Sequence, residues 1–327
     1  MKRRGPPARQ EARAATAATQ AGTVVEMLGL EAVVRPDGQR DTLRARLRGT
    51  IARDPGVVVG DRVYLGLIAS RDEASTGPRA VVERVEPRRN ALLRPDPLGV
   101  TRPLAANLDL GVVVVTPDQP PLRLGLVDRT MAALMYAQVE PLICLNKVDL
   151  DPAGAARGVL ELYAKMGVEI WQTCAASGEG IAAFAARLAG QRSVLIGHSG
   201  VGKSSLARAL IPGLERKVGA ISESIGRGRH TTTVATLLEL PTGGELVDTP
   251  GIRAFGLAEI EPRRLASLYP DFAPYAQNCK FLDCTHRSEP ACIVRAQVKA
   301  GAIDAGRYER YLQLYEALLA EEKAEWE

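Results

Sequence analysis

The architecture of this chain follows from one segment, Gly197-His198-Ser199-Gly200-Val201-Gly202-Lys203-Ser204-Ser205. It contains the pattern G-x-x-x-x-G-K-[ST] and lies between an apolar run, 193–196, and a helical pattern, 203–210, which is the context that a phosphate-binding loop requires. Its glycines allow backbone N–H groups to close around phosphate oxygens. Lys203 adds a positive charge at the phosphates, and Ser204 offers a hydroxyl to Mg²⁺. The segment therefore predicts a nucleotide-binding α/β domain.

A base-recognition pattern comes before this loop in the chain. Asn146-Lys147-Val148-Asp149 matches N-K-x-D and follows the apolar run 142–145. An aspartate carboxylate accepts two hydrogen bonds from guanine N1 and N2, and adenine lacks these donors, so the motif favours GTP over ATP. The segment 173–180 resembles the S-A-K-x-G-x-G loop that supports the base through a backbone N–H. We assign Cys174 and Ala175 to the nucleotide, with Cys174 at a position where serine is usual.

The elements of magnesium binding lie later in the chain. Asp248-Thr249-Pro250-Gly251 matches D-x-x-G, in which the aspartate acts on Mg²⁺ through water and the Gly251 N–H meets the γ-phosphate. The run 226–233, Gly-Arg-Gly-Arg-His-Thr-Thr-Thr, fits a switch segment whose threonine completes the coordination of Mg²⁺. We assign this role to Thr232, beside Ser204 and Asp248.

The residue that orients the attacking water is not at its usual place. Signalling GTPases carry a glutamine directly after D-x-x-G, and this chain has Ile252 there. His230 is the candidate catalytic residue. A group from a partner, slow hydrolysis, or a purely structural or exposed His230 stay open as alternatives.

The order of these motifs indicates the topology. In an ordinary GTPase the phosphate loop comes first and the guanine-recognition motif comes later. Here the order is reversed, so we infer a circularly permuted GTPase core. From Asp109 onward, apolar strand patterns alternate with helical patterns, which predicts a doubly wound sheet with its site at the carboxyl ends of the strands.

The first third of the chain is basic and predicts a small barrel. Residues 1–100 contain 18 Lys and Arg against 12 Asp and Glu, in a chain of 327 residues with net charge +4. Five short β-type runs between 21 and 95, separated by Gly and Pro, suit an OB-fold. Arg44, Arg46 and Arg48 alternate with apolar residues and share one strand face. This arginine stripe is either a contact to RNA phosphates or a solvated strand face.

Composition excludes a membrane protein and a secreted disulfide scaffold. No apolar run approaches the ~18 residues that a membrane-spanning helix needs, and the basic start lacks the apolar region of a secretory signal. The five cysteines form an odd set with three of them near a histidine, which favours metal binding and a reducing, cytoplasmic location. We interpret residues 1–20 as a disordered basic arm and residues 88–103 as a linker.

A metal site is predicted near the C-terminus. Cys279, Cys284, His286 and Cys292 have the spacing C-x₄-C-x-H-x₅-C. Three thiolates and an imidazole form a closed tetrahedral set for Zn²⁺, which is a structural arrangement rather than a catalytic one. The remaining cysteine that lies in a strand, Cys144, is assigned to the core.

Taken together, the permuted motif order, the R-G-R-H-T-T-T segment, the barrel and the C-x₄-C-x-H-x₅-C spacing resemble the small-ribosomal-subunit-dependent circularly permuted GTPases. The resemblance covers about residues 22–320 and implies an OB-fold, a permuted GTPase domain and a helical zinc domain. It also implies GTP hydrolysis to GDP stimulated by the small subunit, late maturation of that subunit, rRNA contact and a water-positioning role for His230. The chain departs from the family at His198, where glutamine is usual, and in its long basic arm.

We therefore expect a monomer divided into an arm, 1–20, a barrel, 21–95, a permuted GTPase domain, 96–258, and a zinc domain, 259–327. Because D-x-x-G lies near the end of the GTPase core, we also expect its movement to pass to the zinc domain through the chain. The main alternative is an RNA-binding assembly placeholder for which the nucleotide is only a structural ligand. An ATP-dependent enzyme is disfavoured by Asn146 and Asp149.

Overall fold

The computed structural model describes residues 19–49, 51, 56–68, 79–95, 100–214, 235–248 and 260–324. The N-terminal part is a five-stranded closed barrel. Strand pairing runs β1-β2-β3-β5-β4 and returns from β4 to β1, with β3 and β5 parallel. The strands are β1 (Thr19–Leu28), β2 (Glu31–Pro36), β3 (Leu43–Leu47), β4 (Arg62–Leu67) and β5 (Ala80–Val85). These bounds confirm the five predicted runs and the barrel.

The barrel closes around small β-branched and aliphatic side chains. Val24, Val34, Ala45, Val63 and Val82 are fully buried in its interior. In β3, β4 and β5 the buried residues alternate with exposed or half-buried ones, as expected of strands with one buried face. The strand β1 begins at Thr19, so the barrel includes the last two residues of the predicted arm.

The predicted linker is instead a β-hairpin. Strands β6 (Ala91–Pro95) and β7 (Thr101–Ala106) pair antiparallel in a sheet of their own. Leu92 and Ala105 are completely buried and pack in the same cluster as the core of the next domain. The Pro and Arg content suggested a linker. Leu92 and Ala105 lie opposite each other on the two strands and give the hairpin a buried face. The predicted boundary between residues 95 and 96 falls inside it.

A parallel α/β sheet follows the hairpin. Strands β10-β9-β8-β11-β13 are parallel neighbours in this order, and β12 pairs antiparallel with β13 at the edge. The strands are β8 (Leu110–Val115), β9 (Glu140–Asn146), β10 (Ile170–Thr173), β11 (Arg192–Ile196), β12 (Thr236–Glu239) and β13 (Glu245–Asp248), and the helices are α1 (Leu124–Tyr136), α2 (Ala155–Ala164), α3 (Ile181–Arg187) and α4 (Lys203–Leu210).

The inner strands of this sheet are apolar on both faces and lie in the interior of the domain. All six residues of β8 are buried, as expected for a parallel strand that helices cover on each side. The barrel continues the same sheet, since Glu26 of β1 pairs with Thr236 of β12. One hydrogen-bonded sheet therefore joins the barrel to the α/β domain.

The C-terminal part is helical, as the sequence predicts. It consists of a 3₁₀ helix (Pro262–Leu268), α5 (Ala273–Ala276), α6 (Ile293–Lys299) and α7 (Ala305–Ala324). Leu265, Phe272, Tyr311 and Leu318 lie in its core, which also contains Ala132 of α1. Among the described helices, none is both long enough and apolar enough to cross a membrane.

Candidate functional site

The predicted nucleotide motifs meet at one edge of the parallel sheet. Neighbouring strands β11, β8, β9 and β10 all run in the same direction. Ile196, Asn146 and Thr173 end β11, β9 and β10, so the phosphate loop, N-K-x-D and the loop at 173–180 leave the sheet at the same side. Asp248 ends β13, the other neighbour of β11. Ligands of open α/β sheets bind at this edge.

The phosphate loop has the tight backbone that its glycines predict. Gly200 and Gly202 have φ of 89° and 90°, a conformation that favours glycine. A Cβ at Gly197 would lie 2.4 Å from the Val114 carbonyl oxygen, and one at Gly202 would lie 2.5 Å from Asn146 Nδ2. Side chains at these two positions would therefore push the loop away from β8 and from the guanine-recognition motif.

Two polar side chains of the phosphate loop contact the backbone of the loop itself. Lys203 Nζ donates to the carbonyl oxygens of Gly197 and His198, at 2.7 and 2.9 Å. The His198 Nδ1 donates to the Ser199 carbonyl oxygen, at 2.9 Å. Ser204 and Ser205 are exposed at the start of α4. The loop is thus assembled with its lysine folded over its own carbonyl groups.

The side chain of Asn146 ties the guanine-recognition motif to the phosphate loop. It is 1% exposed, and its Nδ2 donates to the Val201 carbonyl oxygen at 2.9 Å. Its Oδ1 accepts from Thr173 Oγ1 at 3.2 Å and from the Ala175 amide at 3.3 Å. Both ends of the amide are therefore fixed. Thr173, which sequence reasoning did not assign to the site, is a part of this network.

The thiol of Cys174 contacts the carboxylate that would recognise guanine. Cys174 Sγ donates to Asp149 Oδ1 at 3.0 Å, with Cys174 buried and Asp149 exposed. The thiol fulfils the donor role that a hydroxyl would have. Cys144 lies deeper, where burial raises the pKa of its thiol to about 12, and its Sγ is 3.3 Å from Thr173 Oγ1. Cys144 is a core residue, as the sequence predicts.

The segment between β8 and α1 is a neighbour of the site that the sequence did not reveal. Lys147 Nζ donates to the Gln119 carbonyl oxygen at 2.7 Å, and Val148 begins a short 3₁₀ helix after Lys147. The contact is made by a backbone carbonyl, which no side-chain pattern announces. Three assigned residues, His230, Thr232 and Gly251, lie outside the described part of the chain.

The predicted metal ligands form a compact cluster. The ligand atoms of Cys279, Cys284, His286 and Cys292 all lie within 4.8 Å of one another. His286 Nδ1 is 3.6 Å from Cys279 Sγ and 3.4 Å from Cys292 Sγ. A tetrahedral zinc ion with bonds of about 2.3 Å to sulfur and about 2.0 Å to nitrogen separates such atoms by roughly 3.5 Å. The donor set and its spacing are therefore compatible with zinc.

Hydrogen bonds hold the loop that carries these ligands. The Glu289 carboxylate accepts from the Thr285 amide and hydroxyl, at 2.8 and 2.6 Å, and from the Arg287 amide at 2.9 Å. Burial acts to raise the pKa of Glu289, but the hydrogen bonds outweigh it and lower the pKa to about 2. Tyr308 and Tyr311 of α7 donate to the carbonyl oxygens of His286 and Thr285, both at 2.6 Å. The loop that carries the four candidate metal ligands is thereby packed on α7.

The arginine stripe of β3 is only partly free. Ala45 and Leu47 are buried beneath it, as the alternation predicts. Arg44 donates to Glu31 Oε2 at 2.6 Å, and Arg48 lies 3.4 Å from Glu83. Arg46 is exposed, with no ion-pair partner among the described residues. The sequence could not show which of these three cations is neutralised from neighbouring strands.

The comparisons with known proteins agree with this arrangement. The RsgA GTPase family matches residues 85–258. The chain is 39% identical over 307 residues to the small ribosomal subunit biogenesis GTPase RsgA 1 of Vibrio parahaemolyticus, covering 92% of this chain and 85% of that protein. It is 38% identical over 303 residues to the small ribosomal subunit biogenesis GTPase RsgA of Haemophilus influenzae, again covering 92% and 85%.

Two solved structures share the fold over nearly the whole chain. YjeQ from Thermotoga maritima has a TM-score of 0.75 at 32% identity, covering 92% of this chain and 99% of that one. YloQ, a circularly permuted GTPase, has a TM-score of 0.72 at 25% identity, covering 96% and 98%. The predicted resemblance and the predicted three-part fold are confirmed: the chain belongs to the RsgA GTPase family and is a circularly permuted, GTP-hydrolysing enzyme.

Proposed function

We propose that this protein hydrolyses GTP on the small ribosomal subunit during its late maturation, and that the subunit stimulates the hydrolysis. The buried Asn146 carries the nucleotide part of the proposal, since it fastens the guanine-recognition motif to the phosphate loop. The names of the Vibrio and Haemophilus relatives, both small ribosomal subunit biogenesis GTPases, supply the ribosomal part. We expect the enzyme to act as a cytoplasmic monomer.

Magnesium and the phosphates complete the proposed site. Ser204 at the start of α4 and Asp248 at the end of β13 stand at the same edge of the sheet, and Thr232 is the proposed third magnesium residue. When GTP binds, Lys203 turns from the loop carbonyls to the phosphates, while the Gly251 N–H meets the γ-phosphate. Mg²⁺ held there would neutralise the charge that develops on the phosphate oxygens.

His230 is the proposed water-positioning residue, because Ile252 has no group that can hold water. A group that acts only in the transition state changes kcat and spares ground-state binding. We therefore expect His230→Ala to lower subunit-stimulated kcat while GDP affinity stays within about twofold of the wild-type value. An unchanged stimulated kcat would assign the water to another group, most directly one from the ribosome.

One zinc ion is proposed at Cys279, Cys284, His286 and Cys292. Bound zinc would cross-link the loop 279–292, which packs on α7 through Tyr308 and Tyr311. The ion would therefore stabilise the surface that the C-terminal domain offers to a partner. It would take no part in hydrolysis, because four protein ligands would leave no open coordination position.

The barrel is the proposed rRNA-binding part, through Arg44, Arg46 and Arg48. Each lost phosphate contact should flatten the salt dependence of subunit binding by about one unit of slope. We expect the triple Arg→Gln variant to bind small subunits more weakly, and Arg46→Gln alone to account for most of the change because Arg46 is unpaired among the described residues.

Co-sedimentation with small subunits across a salt series measures this effect. Arg157→Gln, an exposed arginine on α2 away from the barrel, is the matched control and should leave the curve unchanged. Superimposable curves for the triple variant and the wild type would make the stripe a solvated strand face.

A further inference from the structure

The segment between β8 and α1, residues 116–123, forms a wall beside the nucleotide motifs. Its Gln119 carbonyl accepts from Lys147 Nζ at 2.7 Å. Its Pro120 carbonyl accepts from Thr116 Oγ1 at 2.7 Å, which closes the segment into a turn. A Cβ added to Gly200 would lie 3.4 Å from Pro120 Cδ. The turn therefore packs directly against the phosphate loop and against the lysine of N-K-x-D.

Arg123 ends this segment and lies beside the phosphate loop. It lines a small cavity of about 20 Å³ together with His198 and Val201 of the loop. The residue is exposed, and within the described part of the chain its guanidinium has neither a hydrogen-bond nor an ion-pair partner. A free cation thus stands next to a loop whose ligand is a polyanion.

The stability of α1 does not account for an arginine at this position. Arg123 is the residue before the helix, with φ of −117° and ψ of 97°, and its side chain makes no capping hydrogen bond. Ser, Thr, Asp and Asn are favoured there because they accept from the free amides of the first turn. A cation is disfavoured, since the helix dipole is positive at its N-terminus. The start of α1 is therefore not stabilised by a positively charged side chain at residue 123.

We propose that Arg123 binds the γ-phosphate of GTP. A planar guanidinium donates two parallel hydrogen bonds to phosphate oxygens and stays charged at all working pH values. It would add a second cation to that of Lys203, on the side of the loop that the 116–123 segment covers. The sequence has Ile252 where signalling GTPases carry a glutamine after D-x-x-G, so a further polar group at the γ-phosphate has a chemical purpose. The inference rests on the GTPase activity but not on the ribosomal role.

The test uses the isolated full-length protein without ribosomal subunits. Affinities for GDP and for a non-hydrolysable GTP analogue, and the single-turnover rate of GTP hydrolysis, are measured for wild type, Arg123→Ala and Arg123→Lys. Arg157→Ala on α2 is the matched control, and thermal unfolding checks that each variant is folded. Failure of the ribosomal role would appear only when subunits are added, so the two failures are distinguishable.

Arg123→Ala should lose on the order of tenfold in affinity for the GTP analogue relative to GDP, or in single-turnover rate. Arg123→Lys should recover part of the loss, because it keeps the charge and loses the planar fork. Unchanged analogue affinity together with unchanged turnover would overturn the proposal. An equal loss for the analogue and for GDP would also overturn it, because the contact would then lie away from the γ-phosphate.

Discussion

The GTPase core meets a neighbour on each side, and the two junctions are built differently. The barrel junction has charged groups at the rim of an open groove of about 710 Å³. Arg35 of β2 pairs there with Glu239 at 2.5 Å and with Glu245, and Arg192 pairs with Glu245 at 2.7 Å. The side chain of Glu239 is 62% exposed. Water and salt therefore reach the Glu239 end of this set, whereas Arg35, Glu245 and Arg192 are 13–19% exposed.

The zinc-domain junction buries its charges instead. Arg307 of α7 is 1% exposed, and its guanidinium contacts Asp128 of α1 and Asp271, the latter at 3.0 Å. Tyr163 donates to Asp128 Oδ1 at 2.7 Å, and burial raises the pKa of the Tyr163 hydroxyl. The Arg307 guanidinium also lies 4.6 Å from the centre of the Tyr269 ring. Arg307 and Asp128 are thus shielded from water, and only Asp271 is slightly exposed, at 12% of its side chain.

This difference indicates which junction can change. Exposed ion pairs contribute about 0–1 kcal/mol and are screened by salt, whereas removing one partner of a buried pair costs about 3–5 kcal/mol. We expect the zinc domain to move with α1 as one body. The barrel is joined to β12, the strand that follows the segment with Thr232 in the chain, by the strand pair Glu26 and Thr236 and by the ion pair of Arg35 with Glu239. Nucleotide-dependent movement then has a route to the barrel beside the predicted chain connection to the zinc domain.

The largest effect is expected from the metal ligands. Cys284→Ser should reduce zinc from one ion per chain and unfold the C-terminal part, because binding of a structural metal is coupled to folding. Metal analysis and calorimetry measure both results. Cys144→Ala, which removes a thiol outside the cluster, should keep the full zinc content. Wild-type protein without zinc would remove the metal from this account.

Breaking the buried network should come next in size. Asp128→Asn removes the charge that Arg307 and Arg310 share and leaves Arg307 with Asp271 alone, so we expect a loss of about 3–5 kcal/mol in the free energy of unfolding. Urea denaturation measures it. Arg129→Ala is the control, because its pair with Glu321 is exposed at 3.9 Å and should contribute less than about 1 kcal/mol. Equal losses for the two variants would show that burial adds nothing to the ion pairs of this junction.

The barrel junction should give a smaller and salt-dependent effect. Glu239→Gln removes one exposed partner of Arg35 and should cost less than about 1 kcal/mol at low ionic strength, with most of the loss vanishing near 1 M salt. The Asp128→Asn loss should persist in the same salt. A Glu239→Gln loss that does not depend on salt would show that this pair is shielded like the buried one.

The smallest effect concerns pH. Hydrogen bonds from Arg62 to Asp37, both at 2.6 Å, lower the pKa of that carboxyl against the opposing effect of partial burial. A lowered pKa adds stability that is present above the unfolded-state value of 3.8 and is lost as pH falls through the folded-state value. Titration by NMR should show the pKa of Asp37 rising in Arg62→Gln. An unchanged pKa would show that Arg62 does not lower the pKa of Asp37.

The sequence predicted what depends on local pattern. The motifs of the phosphate loop and N-K-x-D fixed the strand ends at Ile196 and Asn146, and the spacing of four ligands fixed the metal cluster. Predicting these features requires only the apolar pattern of each strand and the motif next to it. Because parallel strands bring their loops to the same edge of the sheet, the motifs are expected to meet there.

The rest depends on distant pairs that no local pattern contains. Arg307 and Asp128 are 179 positions apart. The sequence pattern of α7 is that of an ordinary amphipathic helix and does not reveal that α7 packs on α1. Leu92 is completely buried in a segment whose Pro and Arg content indicated a linker. Gln119 contacts Lys147 through its backbone. In each case the determining partner lies in another element, so only the folded chain reveals it.

GTP turnover measured with and without purified small ribosomal subunits tests the central claim most directly. We predict that small subunits raise kcat by on the order of tenfold or more, equivalent to at least about 1.4 kcal/mol of transition-state stabilisation. Large subunits at the same concentration should have no such effect. Identical turnover in the presence and absence of small subunits would contradict the account and favour a placeholder for which the nucleotide is a structural ligand.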